Sequence, residues 1–386
     1  MTSSLRELKG MKINPNASMR MVLQLRFDWY EANNYIAKRA VNAGRNMQEC
    51  MTPAMGGWKY TCECGTERIL NKVCHNRSCP ACNGKHNKEW MEFHRERLVD
   101  TRYLHMVFVL PEELNAKFLK NKEGMTDILF KVVYKILKKK YGKLTGGIIM
   151  MEHTEGSTLT LHPHIHCLIM LGMFDEKRKK FTEISGDQYV VSKIEKEFEE
   201  EYKKAYRKLE GIKKEQRDIF LDSLKGFTVW KKEKYKNSAE AVLGYFANGV
   251  RGGCISNDRI LEVTEEIVKI AYKNKQTKNK WGTMDLEIDE FIKRVLLHIP
   301  GKNQKLVRMR GVFASPKRKV LEDCKEVVEG KKIRLKTRKE KKKQARETEP
   351  KIVVHCAICK KEMKITAEVP RIERKRVVHF GLKKVS

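Results

Sequence analysis

His162-Pro163-His164-Ile165-His166 runs directly into Cys167-Leu168-Ile169-Met170, so three histidines stand at alternate positions at the head of an apolar run. A short apolar run bounded by turn-forming residues reads as a β-strand. Residues two apart in a strand point to one face, so His164 and His166 project side by side while Ile165 goes to the core. His162 has the same parity, but Pro163 is expected to bend the chain and turn it out of reach. Histidines are scarce here, 11 in 386 residues, and packing alone is a poor account of three in five positions. Two imidazoles on one face can share a metal ion, which then needs a third ligand. The preceding run Gly147-Ile148-Ile149-Met150-Met151-Glu152-His153, separated from the first by a Gly/Ser/Thr turn, reads as its antiparallel partner. It offers His153, the preferred ligand, or Glu152; parity alone leaves both open.

A divalent ion held by imidazoles with open positions polarises a phosphodiester oxygen, which points to Mg²⁺ or Mn²⁺ and phosphoryl chemistry. The charge agrees. Lys and Arg outnumber Asp and Glu by 81 to 49, a net +32, and such an excess attracts polyanions, nucleic acid first among them. No apolar run approaches the ~18–20 residues of a membrane span, and Met1-Thr2-Ser3-Ser4 lacks the apolar core of a signal peptide. A cytoplasmic protein, nucleoid-associated when bound to DNA, is expected.

Around the histidine strand, Tyr103 to Leu110 reads as another strand ended by Pro111, and apolar residues at three-to-four spacing predict a helix over 126–140. Residues 20–48 read as helical. Glu- and Lys-rich residues 190–225 read as a helical insertion, Phe227 to Lys232 as a strand, 238–248 as a helix stopped by Gly249, 255–285 as short strands and 288–297 as an amphipathic helix. Between Lys331 and Arg346 stand ten basic residues and one acid. That run, with Lys317-Arg318-Lys319, is expected to neutralise phosphates without reading sequence. Trp58, Trp90, Trp230 and Trp281 could stack on unpaired bases, although each also suits a core or edge position.

Six of the 11 cysteines lie between Cys50 and Cys82, in a stretch with too few large apolar side chains for an ordinary core. In a cytosolic chain this clustering points to metal instead of disulfides. Cys79-Pro80-Ala81-Cys82 with Gly84 is a zinc-knuckle sequence, and Cys62-Glu63-Cys64-Gly65 can supply the opposite pair, with Cys74 as a replacement for Cys62. Cys50 and Cys74 could instead form a second site with His75 or His86. Cys356-Ala357-Ile358-Cys359 is half of a further zinc site, completed by His355, Cys324 or His379.

Taken together, these motifs resemble the HUH endonucleases, named for the histidine, bulky hydrophobe, histidine pattern of His164-Ile165-His166. Within them the chain is similar to rolling-circle insertion-sequence transposases carrying an N-terminal zinc module. The resemblance covers nearly the whole chain. It includes Cys50 to Gly57, Cys74 to Cys82, Tyr103 to Pro111, Val242-Leu243-Gly244-Tyr245-Phe246-Ala247-Asn248, Ile255 to Arg259, Phe291 to His298 and Arg308-Met309-Arg310-Gly311. It implies that Tyr245 attacks a phosphate to leave a 5′-phosphotyrosine and a free 3′-hydroxyl, an ester that can be resealed without ATP. In many relatives a second tyrosine lies four residues later; here that position is Gly249, which favours one tyrosine. Tyr202 and Tyr206 mimic the two-tyrosine spacing inside the charged insertion, where helix packing explains them better, and Tyr235 is a weaker candidate. Arg251, Arg308 and Arg310 join the basic residues expected on DNA.

The resulting expectation is an α+β protein, a central antiparallel sheet flanked by helices, with small zinc-binding modules. Its divisions are an N-terminal helical segment (1–48), a zinc-binding module (49–98), a nuclease domain (99–262), a C-terminal DNA-binding region (263–345) and a possible second zinc segment (346–386). The expected activity is nicking and rejoining of single-stranded DNA at element ends. A plasmid replication initiator or relaxase shares that chemistry, and a non-catalytic zinc-dependent DNA-binding protein is the alternative from another class.

Overall fold

In the computed structural model, which describes residues 14, 16–209, 214–232, 246, 253–274, 280–301, 303–337, 339–341, 343 and 353–372, the histidine strand is the middle of a five-stranded sheet. In chain order the strands are β1 (Gly57–Thr61), β2 (Glu67–Asn71), β3 (Tyr103–Val109), β4 (Gly147–Glu155), β5 (Leu161–Met170), β6 (Gly172–Asp175), β7 (Lys180–Glu183), β8 (Thr228–Lys232), β9 (Ile260–Val263), β10 (Ile267–Asn274), β11 (Lys280–Glu287), β12 (Val307–Gly311), β13 (Val354–His355) and β14 (Glu362–Val369). The helices are α1 (Met19–Asn33), α2 (Lys38–Glu49), α3 (Pro80–Arg95), α4 (Asn115–Lys120), α5 (Lys122–Lys139), α6 (Val191–Tyr206), α7 (Lys214–Ser223), α8 (Ile288–Leu297) and α9 (Arg318–Glu329). This is the expected mixture of helices and antiparallel sheet.

The central sheet has the order β12-β4-β5-β3-β8, every neighbour antiparallel. One face carries Leu104, Met106, Phe108, Ile148, Met150, Ile165, Cys167 and Ile169, packed on Met125, Ile128, Leu129, Val132, Val133 and Ile136 of α5. Those α5 residues recur at three and four positions, the spacing that gives a helix one apolar side. Asn121 caps the helix by accepting from the Gly124 N–H at 3.0 Å, and Lys138 and Lys139 sit in its last turn, where cations complement the helix dipole. The opposite face of the sheet is also covered, by Phe246, Phe313, Leu321, Cys324 and Leu335 against Tyr103, Ile149, Met151, Leu168 and Met170. Burial on both sides explains why β3 is buried throughout and, His105 aside, does not alternate apolar with polar residues.

Helix α6 extends the first core. Its Tyr202 and Tyr206 are fully buried, and the Tyr202 hydroxyl faces the Met125 sulfur at 3.7 Å. The four-residue tyrosine spacing is therefore a packing stripe, as the charged surroundings suggested.

A second core is assembled from distant segments. Val22, Leu23 and Phe27 of α1 and Ala40, Ala43 and Met47 of α2 pack with Ile260, Val268, Ile270, Phe291, Ile292 and Val295, alongside Cys50, Cys79 and Cys82. The helices of residues 1–48 thus share one core with strands and a helix from beyond residue 260. A four-stranded sheet in the order β13-β14-β1-β2 likewise joins residues 57–71 to residues 354–369. Packing crosses the chain divisions read from composition. Among the described residues no helix is long and apolar enough to cross a membrane.

Candidate active site

The register fixes what parity could not. His153 on β4 stands directly opposite His164 on β5, and Met151 opposite His166. Cross-strand partners share a face, so His153, His164 and His166 converge, each offering a ligand nitrogen within 4.8 Å of the others. Glu152 is one residue out of step and goes to the other face. There its buried carboxylate accepts from the Thr126 hydroxyl and, at 2.8 Å, from the Gln304 amide. It is not brought to the histidines, which corrects its place as an alternative ligand. His162 lies next to His164, ring centroids 5.2 Å apart, but is outside the converging set.

The hydrogen bonds set the tautomers. His164 Nδ1 lies 2.6 Å from the His162 carbonyl oxygen; a carbonyl only accepts, so Nδ1 carries the proton and Nε2 is left with its lone pair. That bare Nε2 faces His166 Nε2 at 3.1 Å. The His153 Nε2 is buried with no hydrogen-bond partner, and burial pushes the His153 imidazole below its ordinary pKa, with Glu155 opposing. A lone pair aimed at a neighbouring nitrogen and an unsatisfied buried nitrogen together form a donor set suited to a divalent cation.

Sequence reasoning missed His105. On β3 it is buried, and its Nε2 lies 3.0 Å from His166 Nδ1, with the two rings stacked at 5.2 Å and 12°. If His166 presents Nε2 to a metal, its Nδ1–H donates to His105, which makes His105 a positioning residue. The available signal was a histidine interrupting the otherwise apolar run Leu104–Leu110.

Tyr245 and Arg251 lie outside the described residues. Phe246, next to Tyr245 in the chain, is buried in the core on the histidine face, its ring centroid 6.4 Å from that of His105. Arg308, Arg310, Lys317, Arg318 and Lys319, also expected on DNA, have partners inside the protein. Arg308 and Arg310 stand opposite Met150 and Ile148, on the sheet face away from the histidines. Arg308 pairs with Asp127 and covers the Phe130 ring at 4.2 Å, and Arg310 covers Tyr134 at 5.6 Å. Lys317 pairs with Glu176, Arg318 with Glu322 and Lys319 with Asp323. Arg318 and Lys319 begin α9, with Lys317 as its N-cap, a helix that the basic residues concealed in the sequence.

The cysteines group differently from the expected set. Cys50, Cys74, Cys79 and Cys82 come together, with the Cys82 sulfur 3.6 Å from those of Cys50 and Cys74. Cys62 and Cys64 are not part of this cluster; they meet Cys356 and Cys359. The expected pairing of Cys62 and Cys64 with Cys79 and Cys82 is corrected accordingly, because pairing of β1 with β14 sets the β1–β2 turn beside the turn that carries Cys356 and Cys359. Of the other completions considered, His355 is bound to the Lys360 carbonyl at 3.0 Å and Cys324 is buried in the sheet core; neither joins a cluster. In the first cluster the Cys74 N–H donates to Cys50 Sγ at 3.4 Å, and thiol hydrogen bonds from Cys74 and Cys79 hold Cys50 well below the ordinary thiol pKa. Cys79 is the N-cap of α3, with Pro80 in the first turn, and its hydrogen bonds with Cys50 and Cys74, with burial, push its own thiol pKa up. Four thiols so held fit a closed structural zinc site.

Residues 22–110 match the family described as "Transposase zinc-binding domain", and residues 147–320 match the family described as "Putative transposase". The first span holds the Cys50 cluster and His105; the second holds His153, His164 and His166. "Putative transposase y4qJ" of Sinorhizobium fredii (strain NBRC 101917 / NGR234) is 26% identical over 290 residues, 69% of this chain and 72% of the relative. "Transposase for insertion sequence element IS801" of Pseudomonas savastanoi pv. phaseolicola is 35% identical over 136 residues, 34% of this chain and 33% of the relative. No solved structure matches. Residues 22–110 thus belong to the transposase zinc-binding family and residues 147–320 to the putative transposase family.

Proposed function

We propose that this transposase nicks and rejoins single-stranded DNA at element ends through a 5′-phosphotyrosine on Tyr245, in a rolling-circle pathway. The observation that carries the reading is the convergence of His153, His164 and His166 on one sheet face, with the residue after Tyr245 packed against His105. Three imidazoles suit Mn²⁺ better than Mg²⁺, which prefers oxygen ligands. When bound, such an ion polarises the phosphate and stabilises the charge of an in-line displacement.

The protein's own residues prepare that step. The His162 carbonyl fixes His164 with Nε2 free, and His105 holds the far nitrogen of His166. The Tyr245 oxygen then bonds to phosphorus as the bond from phosphorus to the 3′ oxygen breaks. The phenol gives up its proton and the departing 3′ oxygen takes one up, so charge balances without an external energy source. Attack by a 3′-hydroxyl on the phosphotyrosine reverses the step and restores the phosphodiester. With Gly249 four residues after Tyr245, one tyrosine serves both directions. Zinc at the Cys50 cluster is structural in this reading, since four thiols leave no open position.

The test is incubation of purified protein with labelled single-stranded DNA and Mn²⁺, followed by denaturing electrophoresis. A covalent adduct carrying the fragment 3′ of the cut is expected, and it disappears in Tyr245→Phe and in His164→Ala. An adduct that persists in Tyr245→Phe removes Tyr245 as nucleophile, and DNA binding with no adduct under any metal would establish a binding protein instead.

A further inference from the structure

We propose that Cys62, Cys64, Cys356 and Cys359 form a second structural zinc site, separate from the Cys50 cluster, which folds residues 57–71 and 354–369 into one zinc ribbon and ties the C-terminal segment to the N-terminal module. Nearly 300 residues separate its two halves, Cys62 and Cys359 standing 297 positions apart in the chain. Cys356 and Cys359 lie outside both spans that match transposase families.

Geometry is the first argument. Zinc–sulfur bonds of ~2.3 Å in a tetrahedron place the sulfurs ~3.8 Å apart. The measured separations are 3.3 Å for Cys62–Cys359, 3.6 Å for Cys64–Cys356 and 3.5 Å for Cys64–Cys359. These distances are far longer than the ~2.05 Å of a disulfide. Cys64 and Cys359 each contact two other sulfurs, the pattern of a shared centre and not of two separate bridges.

The second argument is local structure. Each cysteine pair sits in a tight turn beside a strand, and the two turns close alike. In the first, the Cys62 N–H donates to the Thr66 carbonyl and the Gly65 N–H to the Cys62 carbonyl, both at 2.9 Å, with Gly65 at φ +85. In the second, the Cys356 N–H donates to the Lys361 carbonyl at 2.8 Å and the Lys360 N–H to the Cys356 carbonyl at 3.1 Å, with Lys360 at φ 63. Antiparallel pairing of β1 with β14, through Thr61↔Lys364, brings both turns to the same end of the sheet. The contact is reinforced further along, where Arg371 pairs with Glu49 at 2.9 Å and the Ile372 N–H donates to the Ala54 carbonyl at 3.0 Å.

Energetics supplies the third. Apart from the cysteines, the buried core of this sheet is Tyr60, Val354 and Met363, with Leu70 partly buried against it. So few buried side chains stand against the backbone entropy of ordering roughly thirty residues. Burial cannot hold this sheet, and a small domain with such a core needs a metal or another cross-link.

The experiment uses the full-length protein purified without chelator. Elemental analysis is expected to give about two zinc ions per chain, falling to about one in the Cys356→Ser/Cys359→Ser variant and to about one in Cys79→Ser/Cys82→Ser. Replacing zinc by Co²⁺ in the latter should retain the thiolate charge-transfer and d–d bands of a tetrahedral four-sulfur site. Because either variant could misfold, the unaltered protein is also alkylated before and after zinc removal. Cys62, Cys64, Cys356 and Cys359 should be protected together and released together. One zinc per chain in the unaltered protein, unchanged in Cys356→Ser/Cys359→Ser, would overturn the proposal. So would free alkylation of these four thiols while the Cys50 cluster stays protected, or recovery of them as disulfides under reducing purification.

Discussion

Replacing His105 with phenylalanine removes one hydrogen bond and keeps the volume of a buried ring. In the native arrangement His105 Nε2 lies 3.0 Å from His166 Nδ1, and both rings are buried. A metal on His166 Nε2 needs the proton on Nδ1, so in His105→Phe that N–H is left in the interior without its acceptor. An unsatisfied buried donor costs ~1–3 kcal/mol. At 1.4 kcal/mol per factor of ten, this corresponds to a Mn²⁺ affinity weakened ~5–150-fold, in line with the ~10–100-fold usual for loss of a residue that orients a metal ligand. The assay is a Mn²⁺ titration followed by calorimetry and, in parallel, by the rate of covalent adduct formation. The half-saturating Mn²⁺ concentration should rise by that factor, while the rate at saturating Mn²⁺ stays within about threefold and zinc content is unchanged. His105→Gln, whose amide oxygen can accept from Nδ1–H, should recover most of the affinity. Unchanged Mn²⁺ affinity in His105→Phe would refute the reasoning, and so would a collapsed saturating rate at unchanged affinity, which would move His105 from positioning the ligand to the chemical step.

Trp230 stands opposite Val107, which stands opposite His166, so it shares the histidine face at the edge of the sheet and is 62% exposed. Two strand spacings put it ~10 Å from His166, and stacking on an unpaired base is worth ~1–3 kcal/mol. Trp230→Ala should weaken binding of a short single-stranded oligonucleotide ~5–150-fold by fluorescence anisotropy, with Trp230→Phe close to wild type; a change under twofold in Trp230→Ala would remove it from the interface. Lys122 is buried and donates to the carbonyls of Leu297 at 3.3 Å and Ile299 at 3.2 Å, and desolvation pushes its pKa from 10.5 down to about 8, with Glu152 opposing. Between pH 8 and 10.5 the unfolded chain binds more protons at this position than the folded one, so stability rises with pH across that window, by about 3 kcal/mol in all. Urea unfolding of wild type and Lys122→Met at pH 7.5 and pH 10 checks this: the rise specific to wild type should be missing from the variant, and parallel pH profiles would contradict it. Brief treatment with a chelator too weak to strip four-thiolate zinc should abolish adduct formation while leaving zinc content and DNA binding intact, with Mn²⁺ restoring the reaction; activity that survives full removal of the weakly held ion would exclude a metal at the histidines.

The parts of this fold that could be read from the sequence are those whose information is local. The alternation of His164 and His166 around Ile165 fixes one face of β5, the spacing of Ile128, Leu129, Val132 and Val133 fixes the buried side of α5, and Tyr202 and Tyr206 announce their packing role through charged neighbours. Whether His153 or Glu152 joins the histidines depends on cross-strand register. A slip of one residue exchanges the two, and the apolar residues of β4 suit either face because the sheet is covered on both. His105 was harder still. Its partner His166 is 61 positions away, and nothing in its neighbours distinguishes a ring that orients another from one that fills space. Helix α9 was hidden because Lys317, Arg318 and Lys319 look like a surface for phosphate, while the acids that pair with them, Glu176, Glu322 and Asp323, include one from far back in the chain.

The cysteines show why spacing fails where topology decides. Cys62-Glu63-Cys64 lies nearer in the chain to Cys79-Pro80-Ala81-Cys82 than to Cys356-Ala357-Ile358-Cys359, so proximity favours the first pairing. Two constraints in the fold reverse it. Cys79 and Cys82 are at the start of α3 and buried in the second core with Cys50, which brings Cys50 to them. The Cys62 turn belongs to a two-strand hairpin with almost no core of its own, and an isolated hairpin is marginal in water. Its β1 edge therefore takes β14 as a further strand, and the second cysteine turn arrives with it. Ligand sets follow from which segments need each other to be stable. The eight cysteines of the two clusters could satisfy tetrahedral thiolate geometry in several ways, but only the combination that also completes a core and a sheet leaves neither cluster attached to an unfolded segment.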